Sequence, residues 1–442
     1  MVRRYLPLLL LAAVLFPDPV SAQTDSLENK LSIRLQSVTH GEACGGGMPR
    51  AAVSTEDVSH FLYGRNRLII GYERSALQVH TVFQNTAVWG MKGNQGVNLY
   101  EGWVKLRSRH GLFAQAGRVA LSYDDERIIG TNDFATAAYS HDVLRLGYEG
   151  HGHKFHAILA YNQNADNLYS GTYYDGGAQY YKTMQTVWYH YDIPKFPLGA
   201  SLLLMNLGQQ AGQPESEADP ARIEYQQMMG GYLKYHPNIL TFEASYYRQT
   251  GKVVNTDKEA MPIKAWMASA KATVKPGERW GFELGYDHLS GDDYVPVTYG
   301  GQLGLPRHEV EGGFSPMYGS RNKFYGIMDY FYASAYTNGF TPGLQNAFIG
   351  AFGKPFSSLT CGITYHYLAV ATHLEDLSRT LGHSMELKLS YAISKDISLS
   401  AGYTQMSGTE TMARLKQEGD SKLARWGWFS LAISPSVFSS KW

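Results

Sequence analysis

The stretch MELKLSYAISKDISLSAGY, residues 385–403, contains two runs in which apolar and polar residues alternate, joined by the short link ISKD. Successive side chains of a β-strand point to opposite faces, so each run predicts a strand with one apolar and one polar face. The polar face of the first run carries full charges, at Glu386 and Lys388. The same period of two recurs in LSIRLQS (31–37), LYEGWVKLRS (99–108), VLRLGY (143–148) and WGFELGYD (280–287).

The alternating runs and the links between them predict about 18 antiparallel strands. Short links alternate with long links along the whole series, and both ends of the series lie on the side of the short links. Outer-membrane barrels have this parity, with short turns in the periplasm and long loops outside. The predicted strands are 29–39, 59–72, 75–87, 97–109, 111–121, 142–150, 153–163, 180–192, 198–207, 224–236, 239–249, 263–274, 279–289, 344–353, 357–368, 383–393, 396–407 and 424–434.

Two all-β architectures explain long alternating strands. A soluble sandwich or a β-solenoid buries the apolar face, whereas a transmembrane barrel turns that face to lipid and lines a wet lumen with the polar face. The repeated charges on the polar face favour the barrel, as do the 32 tyrosines, many of them near predicted strand ends. We therefore predict an all-β, transmembrane, antiparallel β-barrel that is monomeric and surrounded by outer-membrane lipid.

The two ends of the chain predict its route to the membrane. Residues 1–22 combine two arginines, an apolar run and a small-residue end, which is typical of a cleaved secretory signal, with an uncleaved anchor as the alternative. Residues 23–442 then form a single barrel in the outer membrane of a Gram-negative bacterium. The aromatic stretch 425–442 ends on Trp442 and resembles the strand signal read by the barrel-assembly machinery.

Composition excludes several other classes of protein. The formal net charge is +0, so no bulk attraction to nucleic acid is expected. The chain has no G-x-S-x-G motif, and its histidines are scattered over separate predicted strands. We therefore predict no enzyme activity, no metal site and no cofactor. The two cysteines, Cys44 and Cys361, could form one disulfide, but they provide no disulfide framework.

A dense cluster of charges follows the fifth predicted strand. The stretch AGRVALSYDDERIIGTNDF, residues 116–134, leads from a strand straight into Asp124, Asp125, Glu126 and Arg127. One interpretation is an ion-pair network that pins the loop 122–141 against the lumen wall. The other is direct contact with a transported substrate, because guanidinium groups bind carboxylates with two hydrogen bonds.

Residues 117–149, GRVALSYDDERIIGTNDFATAAYSHDVLRLGYE, resemble the signature region of alginate-export-type outer-membrane barrels. Members often read G-R-Q-x-L-x-Y-D-D-x-R-x-x-G-x-x-D-W and then D-x-L-x-L-x-Y, whereas here Val119 replaces Gln and Phe134 replaces Trp. Residues 314–332 resemble a stretch of the Bacteroidetes-type members. The matching positions are Gly117, Arg118, Leu121, Tyr123, Asp124, Asp125, Arg127, Gly130, Asp133, Asp142 and Leu144.

This resemblance implies a channel of about 18 strands with an arginine-rich constriction, through which an anionic polysaccharide or another acidic solute passes passively. The candidate substrate-binding residues of the lumen are Arg34, Arg65, Arg67, Lys105, Arg107, Arg118 and Arg145. The candidate constriction residues are Glu101, Asp124, Asp125 and Arg127. The leucines next to these arginines should face lipid, namely Leu35, Leu68, Leu106 and Leu144.

Two other functions remain open from the sequence: a general porin for uptake of small solutes, and an adhesin that carries its function on long loops. The longest predicted link, 290–343, contains the strand-like run 323–336 and many aromatic residues. So much apolar surface needs a partner. We predict that this link folds back toward the lumen and narrows the pore together with the loop 122–141.

Overall fold

The structure, a computed structural model, describes residues 28–46, 58–91, 96–136, 138–163, 181–213, 216–255, 257–292, 294–295, 310–328, 341–374, 377–416 and 423–442. The predicted signal at residues 1–22 lies outside these ranges. The described strands are β1 Asn29–Gly46, β2 Ser59–Arg74, β3 Leu77–Val88, β4 Val97–Arg107, β5 Leu112–Val119, β6 His141–Gly150, β7 His153–Tyr161, β8 Thr183–Asp192, β9 Leu198–Ala211, β10 Arg222–Tyr235, β11 Leu240–Val254, β12 Ala260–Pro262, β13 Ala265–Val274, β14 Trp280–Leu289, β15 Tyr294–Val295, β16 Leu344–Phe356, β17 Leu359–Ala369, β18 His373–Leu374, β19 Thr380–Ala392, β20 Ile397–Gly408, β21 Leu423–Ile433 and β22 Ser436–Lys441.

Within the described ranges, 18 strands close into one antiparallel barrel. Each strand pairs with the next, β11 passes directly to β13, and β21 and β22 are consecutive parts of the last strand. Both of these parts pair with β1 and so close the ring. Two backbone hydrogen bonds of 2.8 and 3.1 Å between Asn29 and Trp442 complete the seam. Closure leaves no free edge among these strands.

The links between strands fall into two groups, at opposite ends of the barrel. We call the end with short links, such as 75–76, 151–152 and 357–358, the turn end, and the other the loop end. The strand bounds agree with the predicted ones to within a few residues for most strands. The predicted parity of short and long links is therefore confirmed, and both Asn29 and Trp442 lie at the turn end.

The two faces of the wall differ sharply in polarity. Leu35, Leu68 and Leu106 point outward and are 44%, 37% and 48% exposed, and Leu144 lies on the same outer face. On β2, by contrast, Arg65 and Arg67 point inward. The outer face therefore forms an apolar band around the barrel, as the alternation in the sequence predicts.

Several elements depart from the predicted pattern. β1 and β11 run beyond their predicted ends into the loop end, where β12, β15 and β18 are short additions. A helix α1, Glu410–Lys416, follows β20, and the hydroxyl of Thr409 accepts a hydrogen bond of 3.4 Å from the Met412 N–H at its start. No helix in the described ranges is long and apolar enough to span a bilayer. Neither Cys44 nor Cys361 forms a disulfide.

Candidate functional site

Two stretches of the loop end lie inside the barrel, and they carry the candidate site. We call residues 120–136 the first inner segment and residues 310–328 the second inner segment. The first is fastened to β2 through Asp133. The carboxylate of Asp133 accepts hydrogen bonds from Arg65 at 3.2 Å and from Arg67 at 2.7 Å. Arg65 also donates to the carbonyls of Asp133 and Ala135 at 2.8 and 3.0 Å.

Arg127 fastens the middle of the first inner segment to the opposite wall. Its guanidinium lies 3.1 Å from the carboxylate of Asp125 and 3.0 Å from that of Asp287 on β14. It also donates to the Ser269 hydroxyl on β13 at 3.0 Å and to the Tyr325 hydroxyl at 2.9 Å. A guanidinium with five fixed donors suits such a junction, because it can bind several acceptors in one plane. The charge cluster therefore forms a structural network.

Asp124 points away from Arg127 and reaches a third part of the wall. It accepts hydrogen bonds from the indole N–H of Trp188 at 3.1 and 3.2 Å and from the Tyr247 hydroxyl at 3.5 Å. Burial raises the pKa of the Asp124 carboxyl above its usual value, and hydrogen bonds from Ser201 and Trp188 offset this only in part. Tyr123 lies 3.0 Å from Nδ1 of His156 on β7.

The second inner segment is bound side by side to the first. Ile129 forms an isolated parallel bridge with Tyr318, and the Ser320 N–H donates to the Glu126 carbonyl at 2.9 Å. The Ser320 hydroxyl donates to the Glu126 carboxylate at 3.0 Å and accepts from the Asn132 N–H at 3.0 Å. Short polar side chains thus satisfy the backbone of both segments without a regular sheet.

Gly130 marks a close approach of the two inner segments. A Cβ atom at this position would lie 2.4 Å from the Ser320 hydroxyl oxygen and 2.7 Å from Cβ of Glu126. Residues other than glycine with positive φ are also frequent here, and such conformations persist only where the surroundings fix them. In the two segments they are Asp124, Glu126, Asn132, Met317, Asn322 and Tyr325. The crossing is therefore a fixed structure held under local strain.

The second inner segment is also fastened to the wall. Ser315 and Gln249 on β11 exchange two hydrogen bonds, of 2.9 and 3.0 Å. The Ile327 N–H donates to the Glu386 carboxylate on β19 at 2.6 Å. With the contacts to β2, β7, β8, β13 and β14, the two segments form a partition across the lumen. Residues 310–328 fold inward against the first inner segment, as predicted for the link 290–343, while residues 296–309 and 329–340 of that link lie outside the described part of the chain. That the two loops narrow the pore stays a prediction.

The link between the segments should survive mild acid. Burial alone would raise the pKa of the Glu126 carboxyl, but the hydrogen bond from Ser122 and the charge of Lys323 outweigh it, so the pKa is lowered. A carboxyl with a lowered pKa stabilises the folded state above its unfolded pKa, and this contribution is lost as pH falls through the folded pKa. We therefore expect single-channel conductance at about pH 5 to equal that at neutral pH.

Substitution of Glu126 separates the effect of its charge from other effects of acid. Glu126→Gln should raise conductance at neutral pH, because it weakens the contacts to Ser320 and Lys323. Glu224→Gln is the matched control, since Glu224 binds Arg222 and Lys252 at the exposed loop end and touches neither segment. A rise in wild-type conductance on mild acidification, with no change for Glu126→Gln, would contradict the expectation.

A cavity of about 520 Å³ lies on the turn-end side of the partition, against strands β10 to β19. Its roof is formed by the two inner segments, at Arg127, Phe324 and Tyr325. Acidic and basic side chains both reach it from the wall, and two phenylalanines lie among them. The charged wall residues are Lys234, Glu243, Lys271, Glu283, Asp287, Glu386 and Lys388.

The predicted basic residues of the lumen fall into two groups. Arg65 and Arg67 are only 4% and 7% exposed, because Asp133 and Gln84 cover them. Arg34, Lys105, Arg107 and Arg145 lie on the inner face of β1, β4 and β6, nearer the turn end. Arg107 pairs with Glu149, and Arg145 donates to Gln115 and, at 3.2 Å, to the hydroxyl of Tyr123.

Arg118 does not line the lumen, so its predicted position is wrong. On β5 it shares a face with Leu112, Ala114 and Ala116, which pair in register with outward-facing residues of β6. Its guanidinium binds both oxygens of Asp142 at 2.9 and 2.7 Å on the outer surface, and both side chains are partly exposed. An exposed ion pair of this kind stabilises a fold by about 0–1 kcal/mol.

The remaining predicted constriction residue, Glu101, points inward from β4. Its carboxylate accepts hydrogen bonds from the Trp103 indole and from the Ala120 N–H, each at 3.2 Å. It thereby fixes the point at which the first inner segment leaves β5. Like Asp125 and Arg127, it holds the partition in place.

Sequence reasoning missed the residues that join the two inner segments. Ser320, Asn132 and Tyr325 make the decisive contacts, yet short polar residues and a tyrosine in a loop carry no periodic signal. Asp133 lies in the motif region 117–149, but no neighbouring residue in the sequence indicates that it binds β2. Gly130 was the one available clue, because a glycine between two apolar residues and a polar stretch often marks a close backbone approach.

No family model matches the chain, and no curated relative matches it either. The barrel is similar to the solved structure of OccAB1 from Acinetobacter baumannii, with 12% identity, a TM-score of 0.60, and 93% of this chain and 97% of that one covered. It is similar to OccK2 (OpdF) from Pseudomonas aeruginosa, with 10% identity, a TM-score of 0.61 and coverage of 92% and 98%.

A BenF-like porin from Pseudomonas fluorescens Pf-5 is similar at 11% identity, with a TM-score of 0.59 and coverage of 92% and 99%. OccK2 has also been solved in complex with glucuronate. At such low identities the similarity establishes the fold, a closed barrel of 18 antiparallel strands. The resemblance of residues 117–149 to the alginate-export barrels stays a prediction.

Proposed function

We propose that the chain is an outer-membrane porin through which a small solute carrying a carboxylate is taken up by passive diffusion. The apolar outer band supports a place in a bilayer, because contiguous apolar surface of that extent is not stable in water. The Gram-negative outer membrane is then the compartment, with the turn end in the periplasm. The surrounding lipid and the barrel-assembly machinery are the partners this placement requires.

The partition across the lumen is the single observation that carries the proposal. A polymer needs a continuous passage with accessible charges along it. Here Arg65, Arg67 and Arg127 are buried, because they hold the inner segments in place. Three of the arginines that would guide a polysaccharide are thus already bound by protein groups, so a small solute fits the geometry better than a polymer.

The charge of the open wall supports a carboxylate. Arg34, Arg107 and Arg145 line β1, β4 and β6, and the acids Glu101 and Glu149 lie on the same face. Lys105 shares this face but is only 8% exposed, because it packs on the ring of Phe113. Arginine side chains bind carboxylates well, and in a wet lumen they bind weakly enough for release. A structural neighbour, OccK2, binds the carboxylated sugar glucuronate, which is consistent with this chemistry.

Liposome swelling tests the proposal with two solutes of similar size. We expect vesicles containing the purified protein to swell faster in sodium glucuronate than in glucose. Arg107→Gln combined with Arg34→Gln should lower the ratio of the two rates by roughly threefold to tenfold, as expected for lost charge-assisted contacts in a solvated lumen.

The control is Arg118→Gln, which removes a cation of the outer surface and should leave the ratio unchanged. Absence of swelling in both solutes, together with absence of single-channel current, would refute a porin and favour an adhesin. Equal rates for glucuronate and glucose would leave a general porin but refute the preference for carboxylates.

A further inference from the structure

The wall of the cavity on the turn-end side contains a shallow cradle. On β14, residues 280–287 read WGFELGYD, which places Gly281, Glu283 and Gly285 on the inner face. Two aromatic rings of β16 reach across the two glycines. A Cβ at Gly281 would lie 2.5 Å from Cζ of Phe352, and one at Gly285 would lie 2.4 Å from Cζ of Phe348. Because Gly281 and Gly285 have no side chains, the rings of Phe352 and Phe348 can lie over them, one on either side of Glu283.

Two more glycines form the floor of the cradle. Gly350 on β16 pairs with Glu283, and Gly362 is the inward residue of β17 next to Phe352. A Cβ at Gly350 would lie 3.1 Å from the Glu283 carboxylate, so that carboxylate lies over the floor. A Cβ at Gly362 would have only Phe352 and Ala351 atoms nearby, at 3.6 and 3.8 Å. The floor is recessed because four inward positions lack side chains.

The cradle has an acid on one side and a cation on the other. Lys388 on β19 pairs in register with Gly362 and points into the lumen. Among the described residues, neither Lys388 nor Glu283 forms an ion pair within 4.0 Å, although the neighbouring acids act on Lys388 electrostatically. Glu386, by contrast, is occupied by the Ile327 N–H and lies 3.7 Å from His366.

We propose that this cradle is a binding subsite for a small zwitterion, with its ammonium group toward Glu283, its carboxylate toward Lys388, and its apolar part against Phe348 and Phe352. Lys388 on β19 lies three strands away from Glu283 on β14, which is about 14 Å. The lysine side chain spans part of this distance, and the remainder accommodates a molecule the size of an amino acid. The subsite rests on the proposed uptake function, and it assigns an amino group to the solute in addition to the carboxylate.

The chemistry disfavours a simple anion at this position. A plain carboxylate would be attracted by Lys388 but repelled by Glu283 and Glu386 at short range. A plain cation would be attracted by Glu283 and Glu386 but repelled by Lys388. A zwitterion complements both charges at once, and its apolar group displaces water from the two rings.

Three solutes with one skeleton separate these cases: phenylalanine, 3-phenylpropionate and phenethylamine. Single channels in a planar bilayer are exposed to each solute from the turn-end side, and interruptions of the ion current are counted. We expect phenylalanine to hold the blocked state longest, by roughly threefold to tenfold, because it alone makes both charge-assisted contacts.

Each side of the cradle has its own variant. Glu283→Gln should abolish the advantage of phenylalanine over 3-phenylpropionate, and Lys388→Gln should abolish its advantage over phenethylamine. Gly362→Ala fills the floor at ordinary contact distances, so it should fold and shorten blocks by phenylalanine. Lys234→Gln is the matched control, since Lys234 is a lysine of the same cavity on β10, away from the cradle.

The outcomes separate this subsite from the general function. A conducting channel in which the three solutes block alike, or in which Glu283→Gln and Lys388→Gln behave like Lys234→Gln, overturns the subsite and leaves the porin intact. A channel without current or swelling overturns the porin itself. Selective loss of the phenylalanine advantage in the two charge variants, with normal conductance, supports the subsite.

Discussion

Replacing residues 314–328 with a Gly-Ser linker of the same length is expected to raise single-channel conductance several-fold. This stretch supplies half of the partition. Tyr318, Tyr325 and Ile327 are each less than one-tenth exposed, because they pack inside the lumen. A Gly-Ser chain has no apolar side chains to bury, so it would remain solvated and leave that half of the lumen open.

The barrel itself should survive this replacement, because the strand pairs of β14 and β16 lie outside the replaced stretch. Unchanged heat-modifiability on gels would show an intact barrel. The matched control is a Gly-Ser replacement of residues 216–219, which link β9 and β10 at the exposed loop end. If conductance is the same in the wild type and the linker variant, the second inner segment does not limit the pore.

Arg127→Met is expected to cause a large loss of stability. It leaves the buried carboxylate of Asp287 and the half-buried carboxylate of Asp125 without their cation. Breaking a buried ion pair by removing one partner costs about 3–5 kcal/mol, since the remaining charge stays desolvated. We expect a lower unfolding temperature and noisier single-channel current, because the partition is released from β13 and β14.

A second substitution tests this explanation. Asp287→Asn added to Arg127→Met removes one orphaned charge and should recover part of the lost stability, because the amide keeps its partner Asn346. Arg118→Gln is the control for removal of an arginine, and it should change the unfolding temperature little. No recovery in the double variant would mean that loss of packing against Phe324 explains the effect.

Most of the fold can be predicted from the sequence, because strand alternation is a local signal. The hairpin at 385–403 shows why: a misplaced register by one residue would put Glu386 and Lys388 on the outer face. The same rule would have placed Arg118 correctly, since it shares a face with Leu112 and Ala114. The inner face of β5 carries the apolar residues Phe113 and Val119, so apolar and polar residues do not alternate clearly along this strand.

The partition could not be predicted with the same precision. Its contacts join residues far apart in the chain, such as Arg127 with Tyr325 and Asn132 with Ser320, and no periodic pattern encodes them. The general idea of a folded loop followed from the aromatic content of 314–332. Which side chains bind each other depends on the closed barrel, because the wall decides where each loop is anchored.

The wall contacts of the first inner segment have a consequence for the order in which the protein assembles. Its contacts to β2 and β7 span 66 and 33 residues of chain, whereas its link to Tyr325 spans 198. Short chain separations are closed first, since closure entropy rises with loop length. A half-built barrel can therefore already hold the first inner segment against its wall, and the lumen is narrowed to its final width only when the C-terminal half brings in the second inner segment.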